Sequence, residues 1–170
     1  KSVYGGGGRG IRIVKTDQEL QDAYEIVTGE SIAAVGKSAI LVEKFLAQTR
    51  HIEYQLARDK HGNTVHIFER ECSIQRRNQK LIEQTPSPIV DQETRDRIGK
   101  LVVNAAQAVD YTNLGTAEFL RAENGEFYFL EINARLQVEH PITEFVSGLD
   151  LVKLQLDIAN GEPIPFKQSD

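Results

Sequence analysis

The chain has 170 residues, 40% hydrophobic and 26% charged, with few prolines, a composition that can bury a sizeable core and is ordinary for a globular protein. A formal net charge of −5 argues against a main role in binding nucleic acid or anionic membranes, which needs a surplus of Lys and Arg; no apolar run is long enough to cross a bilayer. Cys72 is the sole cysteine, so an intramolecular disulfide is excluded, and with no secretory pattern at the N-terminus the expected location is the cytoplasm.

The chain opens on Lys1, contains no methionine and reaches a glycine run within a few residues. An internal piece of a longer protein is therefore expected, because natural boundaries fall in flexible linkers. Gly5 to Gly8, Arg9 and Gly10 lead into Ile11 to Val14, which alternates as a short strand and makes the glycines a loop if Lys1 to Val3 ends another strand. Asp17 is placed to cap the next helix, which should end by Gly36. Ala39 to Val42 reads as a buried strand, and His51 to Leu56 as an alternating one. Lys60 to Asn63 reads as a hairpin turn with Thr64 to Arg70 as the returning strand. A helix from about Asp91 to Val109 carries Ile98, Leu101, Val102, Ala105 and Val109 on one face. Thr116 to Ala122 and Glu126 to Ile132 form a second hairpin around Asn124-Gly125, and Leu149 to Asn160 is a helix closed by Gly161. The subdomain boundary is expected near Phe45 to Thr49.

The densest chemistry lies in Glu131-Ile-Asn133-Ala-Arg135-Leu-Gln137-Val-Glu139. If the extended geometry persists, Glu131, Asn133, Arg135, Gln137 and Glu139 share one face. Glu131 and Asn133 offer hard oxygen ligands suited to Mg²⁺, Arg135 can grip a planar oxyanion, and Glu139 can act as a base. Antiparallel pairing brings Glu118 beside Glu131, and two adjacent carboxylates repel unless a cation lies between them; Asn133 tips that pair toward metal binding.

Two further segments can bind anions. The glycines with Lys1 and Arg9 can cover phosphates, because glycine lets backbone N–H groups approach closely, although the run is neither a Walker nor a Rossmann pattern. Glu71 to Lys80 concentrates cations and amides and reads as a basic loop after a strand. Cys72 within it reads as a small buried residue rather than a nucleophile.

Taken in order, these segments resemble the biotin carboxylases of the ATP-grasp family over essentially the whole chain. Glu131-Ile-Asn-Ala-Arg-Leu-Gln-Val-Glu-His-Pro-Ile-Thr-Glu144 is similar to their signature, as is Glu71-Cys-Ser-Ile-Gln-Arg-Arg-Asn-Gln-Lys80. The resemblance implies an α+β ATP-grasp fragment: residues 1–46 as the C-terminal part of the lid with its glycine-rich loop, and 47–170 as an incomplete central antiparallel-sheet domain with flanking helices. It implies ATP binding by Lys1, Gly5, Gly6, Gly7, Gly8, Glu43, Lys44, Leu46, His51, Gln75, Glu118 and Glu131. Mg²⁺ or Mn²⁺ would be held by Glu118, Glu131 and Asn133, and bicarbonate by Lys80, Arg135, Gln137 and Val138. Glu139, Arg135 and Lys80 would be catalytic, with Glu139 removing the bicarbonate proton.

The implied reaction carboxylates biotin on a biotin carboxyl carrier protein through carboxyphosphate. A carboxyltransferase component is the implied partner, a homodimer is available to the family, and neither nucleic acid nor a membrane is implied. Three positions depart from the family: Tyr4 replaces a small residue, Asn78 a histidine and Gln84 a glutamate. The fragment alone is expected to be inactive. Another ATP-grasp ligase, making carbamoyl phosphate or joining a carboxylate to an amine, and a non-catalytic nucleotide-binding module are the alternative functions.

Overall fold

The computed structural model describes residues 1–5 and 10–170, so Gly6, Gly7, Gly8 and Arg9 lie outside the described residues. The chain forms two compact units. The first comprises Lys1–Ala47 with Gln75–Lys80, and the second Gln48–Ile74 with Leu81–Asp170.

The first unit is built on one helix, α1 (Asp17–Val35). Thr16, not Asp17, is its cap: Thr16 is extended and its hydroxyl accepts from Glu19 N, while Asp17 already has helical backbone and adds negative charge to the first turn. Gly36 ends the helix at φ 73°, a left-handed conformation that costs glycine little. The strands expected at Lys1–Val3 and Ala39–Val42 reduce to a single bridge, Ser2 with Ile40, supported by Val3 N to Ala39 O and Leu41 N to Lys1 O, both 2.8 Å. Ile11 to Val14 is irregular rather than a strand. The reason is shared: Ile11, Ile13, Leu41 and Val42 are exposed, so among the described residues no apolar layer covers these side chains, and alternation alone does not hold a ladder.

The second unit is an antiparallel sheet ordered β3-β2-β1-β4-β5, formed by β1 (Arg50–Arg58), β2 (Thr64–Arg76), β3 (Gln79–Gln84), β4 (Asn113–Arg121) and β5 (Phe127–Asn133). The tip between β2 and β3 belongs to the first unit. The basic stretch 71–80 is therefore strand, turn and strand rather than a loop. Arg77 and Asn78 make the turn at φ 53° and 61°; a two-residue hairpin with both φ positive favours asparagine, which gives Asn78 a conformational role. Both expected hairpins form, at Lys60–Asn63 and Asn124-Gly125.

Helix α2 (Gln92–Ala108) packs Ile98, Val102 and Ala106 on Ile52, Tyr54 and Leu56 of β1 and Ala117 and Phe119 of β4. Leu101, Ala105 and Val109, expected on that face, are exposed. The true stripe runs i, i+4, i+8, and the sheet decides which side of a helix with apolar residues on two sides is buried. On the other face α4 (Leu151–Ala159) covers Ala57, Val65, Ile67 and Leu114. It starts at Leu151, with Asp150 as its cap. An additional helix, α3 (His140–Ser147), starts with proline in its first turn. Among the described residues no helix is long and apolar enough to cross a membrane.

One irregularity sets the phase of β2. Tyr54 faces Glu69 and Leu56 faces His66, so two steps on β1 oppose three on β2, and Phe68 absorbs the extra residue at φ 52°. This bulge moves Arg70 to the face of Glu53, its register partner.

Two changes probe this packing. A Cβ on Gly99 of α2 would lie 2.2 Å from the His66 ring, so Gly99→Ala should cost about 1–3 kcal/mol in denaturant unfolding through overpacking. The Asp59 carboxylate accepts from His61 N (2.8 Å), Asn63 N (3.0 Å), Asn63 Nδ2 (2.7 Å) and Ile164 N (2.8 Å). Burial pushes this carboxyl up, but the hydrogen bonds outweigh it and hold it below its ordinary range. Its stabilisation is thus complete above the unfolded value of about 3.9 and lost as pH falls through the folded one. Asp59→Asn should lose about 1.5–3 kcal/mol at neutral pH, the gap to wild type closing in acid.

Candidate active site

The sheet face opposite α2 is divided. Its end at Ala57, Val65 and Leu114 is apolar and lies under α4; its other end carries His51, Glu53 and Gln55 of β1, Arg70 and Cys72 of β2, Thr116 and Glu118 of β4, and Glu131 and Asn133 of β5. The segment after β5 and α3 lie over this polar end. Because β1 and β4 are central strands, polar side chains there have no solvent and must find partners within the protein.

Arg70 supplies most of them. It is fully buried, and its guanidinium donates to Glu53 Oε1 (2.6 Å), Gln55 Oε1 (2.8 Å), Thr143 Oγ1 (2.9 Å), Gln137 Oε1 (3.2 Å) and Thr116 Oγ1 (3.3 Å). These use all five N–H groups of the fork. Glu53, also fully buried, meets that guanidinium directly, so the two side chains form a buried pair.

Glu118 is the second centre. Its Oε1 accepts from Gln137 Nε2 (2.9 Å) and Asn133 Nδ2 (3.0 Å), and its Oε2 lies 3.1 Å from His51 Nε2. Glu131 stands directly across from Glu118 in register, exposed. Ligand atoms of His51, Glu53 and Glu118 lie within 4.8 Å of one another, and so do those of Glu53, Cys72 and Glu139. The carboxylate oxygens of these clusters suit a hard cation such as Mg²⁺. Asn133 turns Nδ2 to Glu118 and Oδ1 toward Arg135 (3.4 Å), so ligation through its oxygen requires the amide to rotate.

The expected five-residue row does not persist. β5 stops at Asn133, and Glu139 is the N-cap residue of α3. Past Asn133 the chain bends: Gln137 and Glu139 are buried, whereas Arg135 and Val138 are exposed. The sequence around Glu139 is read by a turn into a helix, not by alternation. Asn133 and Gln137 still meet at Glu118, and Glu139 reaches Glu53 and Cys72.

The remaining candidates belong to the first unit. Lys1 Nζ pairs with Glu43 Oε2 at 3.0 Å. Lys44 and Leu46 lie in the irregular segment after Ile40, Gly5 precedes the undescribed glycines, and Gln75 and Lys80 lie on the β2–β3 tip. Tyr4 has the Lys37 ammonium 4.4 Å over its ring, a cation–π contact that gives this departure a local role.

Glu53, Gln55, Arg70, Thr116 and Thr143 were not foreseen. A signal existed for the first, second and fourth, since each alternates with core residues on a central strand. Arg70 and Thr143 depend on the bulge and on α3, which the pattern does not encode.

A family model described as "Carbamoyl-phosphate synthase L chain, ATP binding domain" matches residues 1–167. The chain belongs to this family. Within it, biotin carboxylase 2 of Bacillus subtilis is 51% identical over the whole chain, which covers 38% of that protein. The mitochondrial methylcrotonoyl-CoA carboxylase subunit alpha of Arabidopsis thaliana is 48% identical, again over the whole chain and 23% of that protein. The solved biotin carboxylase domain of Hydrogenobacter thermophilus 2-oxoglutarate carboxylase, a dimer with MgADP, ADP and bicarbonate, is 48% identical with a TM-score of 0.95, matching 99% of this chain and 37% of its own. The α+β ATP-grasp fold and the likeness to biotin carboxylases thus stand, for a chain that spans between about a quarter and two fifths of its relatives.

Removing one partner of the buried pair tests its weight. Glu53→Ala leaves Arg70 charged in the interior and should cost about 3–5 kcal/mol in denaturant unfolding.

Proposed function

We propose that the chain is part of a biotin carboxylase that uses ATP and bicarbonate to carboxylate biotin on a carrier protein. The observation that carries this reading is the convergence of His51, Asn133 and Gln137 on the buried Glu118, with Glu139 beside Glu53, on a scaffold close to one solved with MgADP and bicarbonate. In this reading residues 1–46 are the C-terminal part of the lid and 47–170 the incomplete central domain.

Glu118, Glu131 and Asn133 would hold Mg²⁺ or Mn²⁺, which would supply positive charge to offset that of the phosphates. Lys1 and Gly5 to Gly8 contact the ATP phosphates, and main-chain groups of Glu43, Lys44 and Leu46 the adenine edge, with His51 and Gln75 near the ribose and phosphates. Arg135, Lys80, Gln137 and the Val138 backbone orient bicarbonate. Glu139 takes its proton so that a bicarbonate oxygen attacks the γ-phosphorus and ADP leaves. The resulting carboxyphosphate splits into CO₂ and phosphate; phosphate takes the ureido proton of biotin, and the biotin enolate, stabilised in part by Arg135, captures CO₂.

The partners in this reading are a biotin carboxyl carrier protein and a carboxyltransferase component, with a homodimer as the assembly. The location is the cytoplasm, or the corresponding organelle where relatives are named mitochondrial. The isolated 170 residues are inactive. A carbamoyl-phosphate-type ligase is the competing assignment on the family's name, and the Gln137-Val-Glu139 continuation favours biotin.

The test is ATP hydrolysis by the full-length protein with Mg²⁺ and bicarbonate, with and without free biotin. Biotin should stimulate turnover, and Glu139→Ala should lower it by about 10²–10⁴-fold, the usual contribution of a general base. Hydrolysis indifferent to biotin would assign another ligase, and nucleotide binding without turnover a binding module.

A further inference from the structure

Arg70 touches both ends of the segment that carries Glu139. Its Nη2 holds the Gln137 side-chain oxygen at 3.2 Å, and its Nη1 holds the Thr143 hydroxyl at 2.9 Å, in the first turn and a half of α3. Glu139 lies between these two points. A guanidinium only donates, so every group facing it must accept. The Gln137 amide therefore turns its oxygen inward and its Nε2 toward Glu118, 2.9 Å away. Gln55 obeys the same rule: its oxygen faces Arg70 and its Nε2 donates to Gly115 O at 3.0 Å.

We propose that Arg70 is a positioning residue for the reaction, clamping Gln137 and Thr143 to the sheet so that the Gln137 amide, Glu118 and Glu139 keep one geometry. The proposal rests on the biotin carboxylase reading for the roles of those groups, but the clamp itself is a property of the fold. Arg70 acts through Gln137 and Thr143. An ammonium at this position keeps the charge that Glu53 needs, yet it lacks the planar fork that reaches acceptors on β1, β4, the 134–139 segment and α3 together.

Arg70→Lys in the full-length protein separates clamp from charge. Expected are a fall in kcat and a rise in KM for bicarbonate, at least tenfold in kcat/KM, with KM for ATP within about twofold, since misplacement by about 1 Å can cost 10²-fold. Amide hydrogen exchange across residues 134–147 should quicken while β1 and β4 stay protected. Unchanged bicarbonate kinetics and unchanged exchange in folded Arg70→Lys would overturn the proposal, as would equal losses for ATP and bicarbonate.

If Arg70→Lys does not fold, Thr143→Val, which keeps side-chain volume and removes one acceptor, should show a smaller shift in the same direction; kinetics and exchange like wild type would count against the clamp. Should wild type show no biotin-dependent turnover, the functional reading fails, and exchange in the two variants alone decides whether Arg70 clamps the segment.

Discussion

The ion pair between Glu53 and Arg70 is the constraint on which the second unit depends. Both side chains are fully buried, and moving two charges out of water is unfavourable by several kcal/mol for each unless attraction and hydrogen bonds offset it. Here the offset comes from the neighbours. Acceptors from β1, β4, and the segment after β5 with α3 all point at one guanidinium, so three stretches distant in sequence share one centre. Such a network is stabilising only when complete, since an unmatched polar group in a low-dielectric interior is costly. That all-or-none character couples the placing of Gln137 and of α3 to the correct register of β1 and β2.

The register, in turn, hangs on Phe68. A strand without the bulge would turn Arg70 toward α2, into the layer of Tyr54 and Ile98, and leave Glu53 facing a carboxylate from Glu69. With the extra residue, Glu69 joins the α2 side instead, where Arg95 meets it with two hydrogen bonds of 2.7 and 2.8 Å. Glu53 and Glu69 thus each have their own cation, one on either side of the sheet. The left-handed backbone of Phe68 is unfavourable for a bulky side chain, and it persists because the ion pairs on both faces require that phase.

The divided sheet face explains how one small unit keeps both an apolar core and a buried polar cluster. Under α4, Ala57, Val65, Ile67 and Leu114 bury in the usual way, and on the far side α2 covers the apolar residues of β1 and β4. The polar half remains because its groups satisfy one another. Glu118 is its second centre: it lies next to Asn133 and across from Glu131, accepts from Gln137, and sits beside His51. Glu118 gathers amide donors and an imidazole, whereas Glu53 is paired with Arg70.

Much of this was legible in the sequence, for physical reasons. Both hairpins announced themselves through Gly62 and Gly125, whose positive φ suits a residue without Cβ, and α1 through a glycine stop. The pairing of Glu118 with Glu131 followed from hairpin symmetry, and the signature at Glu131 to Glu144 identified the family. Four things were decided only in three dimensions. The edge-like segments at Ile11–Val14 and Ala39–Val42 failed as strands because Ile11, Ile13, Leu41 and Val42 stay exposed; α2 chose Ile98, Val102 and Ala106 because the sheet selected that side. The row from Glu131 broke after Asn133 because α3 begins at His140. Arg70 reached its site because a bulge changed the parity of β2. Sequence pattern fixes which face a side chain takes relative to its neighbours in one element, whereas packing between elements sets the absolute phase, and with it which charges meet.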